Sequence, residues 1–94
     1  MGMAILSPEQ VDSAIQGTSW TRQGDELILE WQGADFAAAL AFVNRVGELA
    51  EQAQHHPDID IRWNKVRLAL STHSEGGITS KDIELAHKIS ELGG

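Results

Sequence analysis

Glu51-Gln-Ala-Gln-His55-His56-Pro57-Asp-Ile59-Asp-Ile61-Arg-Trp63 is the stretch at which this chain changes architecture. Up to about Gln54 the apolar residues recur at helical spacing. Pro57 cannot continue a helix and pushes the residue before it toward an extended backbone. From Ile59 onward apolar and polar residues alternate, as in a half-buried strand. His55 and His56 therefore fall at a helix end, and a third histidine, His73, follows Trp63 by ten residues. Imidazole is the one side chain whose unperturbed pKa puts its charge change near neutral pH. Glu51 lies four residues before His55, one turn back along the helical face, where a carboxylate can reach the imidazole.

Working back from this stretch, Asp35 is the expected N-cap of the longest helix, Phe36 to about Gln54. Its buried side carries Ala39, Phe42, Val43, Val46, Leu49, Ala50 and Ala53. Gly47 weakens that helix by about 1 kcal/mol relative to alanine and is expected to mark a close helix crossing. Before it, Ser19 to Gln23 and Glu26 to Gln32 read as two strands joined at Gly24-Asp25. Trp20 has two readings, a core aromatic or a flat wall for a planar ligand. Leu6-Ser7-Pro8-Glu9-Gln10-Val11 is a helix start: Ser7 caps, Pro8 opens the first turn, Gln10 closes a capping box and Leu6 staples to Val11. That helix should end at Gly17.

Working forward, Ile59, Ile61 and Trp63 alternate in a third strand and Val66, Leu68 and Leu70 in a fourth, with a turn at Asn64-Lys65. Continued at period two, the fourth strand ends on His73. Ser74-Glu75-Gly76-Gly77 is a loop, Thr79 to Asp82 a second capping box with Ile78 stapled to Ile83, and the last helix runs to about Leu92. The order α-β-β-α-β-β-α with short hairpin loops gives an α+β class. Its four-stranded antiparallel sheet has three helices packed on one face, and the other face is left to solvent or a partner.

At 94 residues the chain is one domain, 1–94, with room for a modest two-layer core. It has no cysteine, hence neither a disulfide frame nor a thiolate metal site, which suits a cytoplasmic protein. Its apolar runs are too short to span a membrane, and the N-terminus does not resemble a signal peptide. A net charge of −7 argues against direct binding to nucleic acid. Three histidines brought together suggest acid and base work in one pocket. A zinc site is the rival, but adjacent His55 and His56 diverge and no helical ligand pair occurs, so no metal is expected. His87, on the last helix, is expected to be a surface residue.

The run Glu51-x-x-x-His55-His56-Pro57, five residues, Trp63, nine residues, His73, eight residues, Asp82 resembles the signature of the pterin-4a-carbinolamine dehydratases. Asp35-Phe36, Phe42-Val43-Asn44-Arg45-Val46, Asn64-Lys65-Val66, Leu70-Ser71-Thr72-His73, Gly77-Ile78-Thr79 and Asp82-Ile83-x-Leu85-Ala86 extend the likeness over about residues 18 to 92. Fixed spacing over many positions is far more specific than a lone short motif. The family fold agrees with the one read from the residues.

The resemblance implies a reaction, the removal of water from 4a-hydroxytetrahydropterin to give quinonoid dihydropterin, without a cofactor. It implies His55, His56 and His73 as catalytic residues and Glu51 and Asp82 as their orienting partners. Pterin contacts are implied from His55 to Pro57 and from Thr72 through His73 and Ser74 to Glu75, with Trp20 as a further candidate wall. A small-molecule pterin and a second copy of the chain, in a homodimer or homotetramer, are the implied partners. Other proteins of this fold act as transcriptional dimerisation cofactors or Rubisco assembly factors, so a non-catalytic binding module is the alternative.

Overall fold

Three capping motifs set where the helices start. Ser7 Oγ accepts from the Gln10 amide at 3.2 Å while Gln10 Oε1 accepts from the Ser7 amide at 2.8 Å, so two end donors are satisfied reciprocally. Asp35 Oδ1 accepts from the Ala38 amide at 2.8 Å, and Thr79 with Asp82 forms the second capping box. The computed structural model describes residues 4–93, so Gly94 lies outside it. The elements follow in the order α1 (Pro8–Ile15), β1 (Thr21–Gln23), β2 (Glu26–Gln32), α2 (Phe36–Ala53), β3 (Asp58–Arg62), β4 (Lys65–Leu70) and α3 (Ser80–Ser90).

The strands form one antiparallel sheet in the order β1-β2-β4-β3. Period two sorts its faces. Leu27 opposite Leu70, Leu29 opposite Leu68 and Trp31 opposite Val66 point to the helical side. There they meet Val11 and Ile15 of α1, Phe42, Val46 and Ala50 of α2, and Leu85 and Ile89 of α3 in one apolar cluster. All three helices thus share one face, and Phe42 stacks on Trp31 with ring centroids 4.3 Å apart and planes 3° from parallel. The other face carries polar and charged rows, Glu30–Arg67–Asp60 and Gln32–Lys65–Arg62.

Register positions the histidines. Asp58, the first residue of β3, pairs with Ala69 near the end of β4. Residues 55–57, just before β3, and residues 71–73, just after β4, therefore lie at the same end of the sheet. The β3–β4 turn lies at the other end.

The structure departs from expectation at five places. The third strand stops at Arg62, which pairs with Lys65, so the turn is Trp63-Asn64, not Asn64-Lys65. Asn64 is held there by its Nδ2 donating to the Gly33 carbonyl and its own carbonyl accepting from the Gly33 amide, both at 2.9 Å. Trp63 takes φ 53 and is 65 % exposed, so it does not continue the alternation of Ile59 and Ile61. The first strand begins at Thr21, because the Trp20 amide is captured by Thr18 Oγ1 at 3.1 Å. The fourth strand ends at Leu70, and His73 lies in a turn closed by a Thr72–Gly77 bridge. Gly76, at φ 78, provides the left-handed step that closes it. The last helix ends at Ser90. Gly47 marks no close crossing, since a Cβ there would meet nothing within 4 Å.

Two glycines give opposite expectations. A Cβ on Gly33 would lie 2.5 and 2.8 Å from ring atoms of Trp31, whose indole is pinned against Phe42. Gly33→Ala should therefore cost about 1–3 kcal/mol, as overpacking does. Gly47→Ala, in open space inside α2, should add about 1 kcal/mol from helix propensity. Urea midpoints of the two variants check this. Equal shifts in one direction would show that the Trp31 ring yields without cost.

Candidate active site

α2 ends in a Schellman motif, and that ending aims the histidines. Gln54 is left-handed at φ 52, its amide bonds the Glu51 carbonyl at 3.2 Å, and the His55 amide reaches back to the Ala50 carbonyl at 3.1 Å. The chain has left the helix before His55, so the helical spacing of Glu51 and His55 no longer makes them neighbours. Glu51 Oε2 pairs instead with His56 Nε2, at 2.5 Å, on the exposed surface. This corrects the pairing expected from sequence. In the extended segment leading to Pro57, successive side chains point to opposite sides. Thus His55 turns the other way, and its Nε2 lies 2.5 Å from Oδ1 of Asp82.

Asp82 is fully buried. Its Oδ2 accepts from the Thr79 amide at 2.9 Å, closing the capping box, and from the Thr72 hydroxyl at 2.8 Å. The Thr72 and Thr79 hydroxyl oxygens are 2.8 Å apart. One carboxylate thus ties together the start of α3, the segment after β4 and the segment after α2. A buried carboxylate is tolerated only when its oxygens are satisfied in this way. Sequence reasoning found Asp82 and its cap but missed that Thr72 and His55 share it. The only signal was the apolar setting of a capping-box acid, which leaves one oxygen to find a partner in the interior.

His55 is largely enclosed, its side chain 12 % exposed, whereas that of His56 is 58 % exposed. His73 and Ser74 are exposed in the turn after Thr72, while Glu75 and Pro57 are half-buried. The Thr72 side chain is spent within the protein. Trp20 lies in the core cluster, 3 % exposed, and takes the core reading; its indole N–H has no hydrogen-bond partner among the described residues. His87 Nε2 lies 2.7 Å from the Ala14 carbonyl and joins α3 to α1. Trp63, at the far turn, stands off from the histidines by roughly the length of β3, about 15 Å.

An open groove of about 470 Å³ lies elsewhere, on the bare sheet face, lined by Glu30, Gln32, Asp60, Arg62, Lys65 and Arg67 among others. Its charges are of mixed sign, with Arg67 between Glu30 and Asp60 and Lys65 opposite Arg62, rather than aimed at one point, so the histidine end is kept as the candidate site. Among the described residues no three histidine or carboxylate side chains are grouped as a metal-binding set.

Comparison with known proteins gives the same reading. The family model described as pterin 4 alpha carbinolamine dehydratase matches residues 4–92. A protein of Nocardia farcinica is 54% identical over 98% of both chains, and one of Thermomicrobium roseum 53% identical over 96% of this chain and 98% of its own. Both are provisionally named pterin-4-alpha-carbinolamine dehydratase. A Brucella melitensis crystal structure, titled a transcriptional coactivator/pterin dehydratase, superposes with TM-score 0.89 at 28% identity, covering 97% of this chain and all of that one. A pterin dehydratase-like RuBisCO assembly factor of the alpha-carboxysome shares the fold, with TM-score 0.68 at 23% identity over 83% of this chain and 93% of its own. With the match running nearly end to end and the paired histidines in place, this chain belongs to the pterin-4a-carbinolamine dehydratase family.

Proposed function

We propose that this protein is a hydro-lyase that removes water from a pterin-4a-carbinolamine, using the histidines at one end of the sheet as acid and base. The observation that carries the reading is the pairing of two adjacent imidazoles with separate carboxylates, His55 with Asp82 and His56 with Glu51, beside the turn that holds His73. Near-full-length relatives at about half identity support the same activity.

Loss of the 4a-hydroxyl breaks a carbon–oxygen bond, and the oxygen leaves easily only if an acid protonates it to water. A base takes the ring N–H proton, and the electron pair of that bond forms the carbon–nitrogen double bond of the quinonoid product. One proton is given and one is taken, so the enzyme returns to its starting state after proton exchange. His55 and His73 form the acid–base pair, and His56 with Glu51 holds the ring. The exposed His56–Glu51 pair adds little to stability, which favours a role toward substrate over a scaffold role. This weighs against the purely non-catalytic binding module.

The active form is at least a dimer. Phe36 and Leu40, one turn apart on α2, are 46 % and 40 % exposed, and Ile59 on the edge strand β3 is 40 % exposed. A second copy would cover such surface. The absence of cysteine favours a cytoplasmic setting.

The decisive experiment is dehydration of freshly generated carbinolamine, read above the spontaneous background. His73→Ala should fold and lose about 10² to 10⁴ in rate, the usual worth of a positioned acid or base. His87→Ala should keep its rate and lose only about 0.5–1.5 kcal/mol of stability with its bond to Ala14. A folded, fully active His73 variant would remove that residue from the pair, and an inactive wild type would remove the dehydratase reading.

Asp82→Asn offers an amide donor where three donors already converge. It should lower stability by roughly 1–3 kcal/mol and reduce the rate, whereas Glu51→Gln, on the surface, should reduce the rate and leave the denaturation midpoint in place. Light scattering at micromolar concentration should give a multiple of the 10.2 kDa monomer mass. A monomer alone would contradict the oligomer.

A further inference from the structure

We propose that Thr72 is a positioning residue of the dehydratase site: its buried hydroxyl anchors Asp82, and Asp82 fixes His55 with its proton on Nε2 and its lone pair on Nδ1. This rests on the proposed dehydratase reading for its kinetic consequence, but not for its structural content. The family resemblance implied Thr72 as a pterin contact. The geometry assigns it differently, because Thr72 is 6 % exposed and its hydroxyl faces Asp82 and Thr79.

Hydrogen counting gives the direction of every bond. An ionised carboxylate only accepts. The single hydrogen of the Thr72 hydroxyl goes to Asp82 Oδ2, at 2.8 Å, so toward Thr79 Oγ1 the Thr72 oxygen must accept. The Thr79 amide donates to the same Oδ2 at 2.9 Å. With Oδ2 held by two donors, Oδ1 is presented to His55 Nε2 at 2.5 Å, and the ring is the donor of that bond. A neutral His55 then carries its free lone pair on Nδ1, the state of a base.

Thr72 also shapes the His73 turn through its backbone. Its amide donates to the Gly77 carbonyl at 2.8 Å, and its carbonyl accepts from the Glu75 and Gly76 amides at 3.0 and 2.9 Å. One residue therefore sets the tautomer of His55 through its side chain and the turn carrying His73 through its main chain. Replacing the hydroxyl by a methyl group separates the two roles, since the backbone bonds remain.

The test compares Thr72→Val, which keeps shape and loses the hydroxyl, with Thr72→Ser, which keeps the hydroxyl. Thr72→Val should lose about 10- to 100-fold in kcat with KM little changed, the scale of losing an outer-shell partner, and Thr72→Ser should restore most of it. Nitrogen-15 NMR of the imidazoles supplies a readout independent of activity: wild-type His55 should be the Nε2–H tautomer, and Thr72→Val should shift it toward a mixture. A higher KM with kcat and tautomer unchanged would make the hydroxyl a substrate contact and overturn the proposal. A Nδ1–H tautomer in wild type would overturn it whether or not the valine variant folds. An inactive wild type with the expected tautomer would sink the dehydratase reading while leaving the network assignment standing.

Discussion

The Asp82 carboxylate is the constraint on which this structure turns. It is fully buried, and its oxygens accept from the Thr79 amide, the Thr72 hydroxyl and the His55 ring. The Thr79 bond is local to the cap of α3, but Thr72 lies ten residues and His55 twenty-seven residues from Asp82, so the full set forms only when the sheet has closed and α3 has docked. A buried carboxylate with any of them missing is costly, and that cost couples the register of β4, the position of α3 and the exit from α2. Capping a helix and orienting an imidazole are here one act by one side chain.

The rest of the architecture delivers partners to that carboxylate. The Leu and Trp stripe of β2 and β4 fixes which sheet face the helices cover, because a slip of one residue would turn every apolar side chain outward. With that face fixed, the antiparallel pairing of Asp58 with Ala69 places the end of α2 beside the end of β4. Stacking of Phe42 on Trp31 ties α2 to the sheet near the opposite end, where Gly33 and Asn64 lock the turns to each other. The sheet therefore has a braced end and a chemical end, and the long apolar helix spans both.

Much of this was legible in the sequence, and the exceptions share a cause. Element order, both capping boxes and the core stripe followed from local patterns such as Ser7 with Gln10 and Leu27 with Leu29, because those patterns are enforced by neighbours in the chain. What failed turned on a backbone step or a partner that the periodic pattern does not announce. Glu51 was matched to His55 by helical spacing, but Gln54 in the left-handed region ends the helix first, a step that glycine signals and glutamine does not. Trp63 looked like strand because it continued an alternation, yet Asn64 is held by Gly33, thirty-one residues away. His73 looked like a strand end, yet Gly76 and Gly77 fold the turn back on Thr72. The candidate site residues were named from their spacing, whereas which of them pair required the tertiary structure.

That pairing gives two neighbouring histidines different physical characters. His55 sits against a carboxylate that cannot move without unmaking a helix cap, so its ring is held in one orientation. His56 pairs with a glutamate that is 73 % exposed on the last turn of α2, a contact that water competes for and that breaks and re-forms at little cost. A proton-transfer group must meet its target with the right tautomer and angle, and fixed geometry serves it. A group that grips a substrate as it enters and leaves is better served by an adjustable contact. The left-handed Gln54 and the step before Pro57 turn His55 inward and His56 outward, which suits each to the task proposed for it before any substrate arrives.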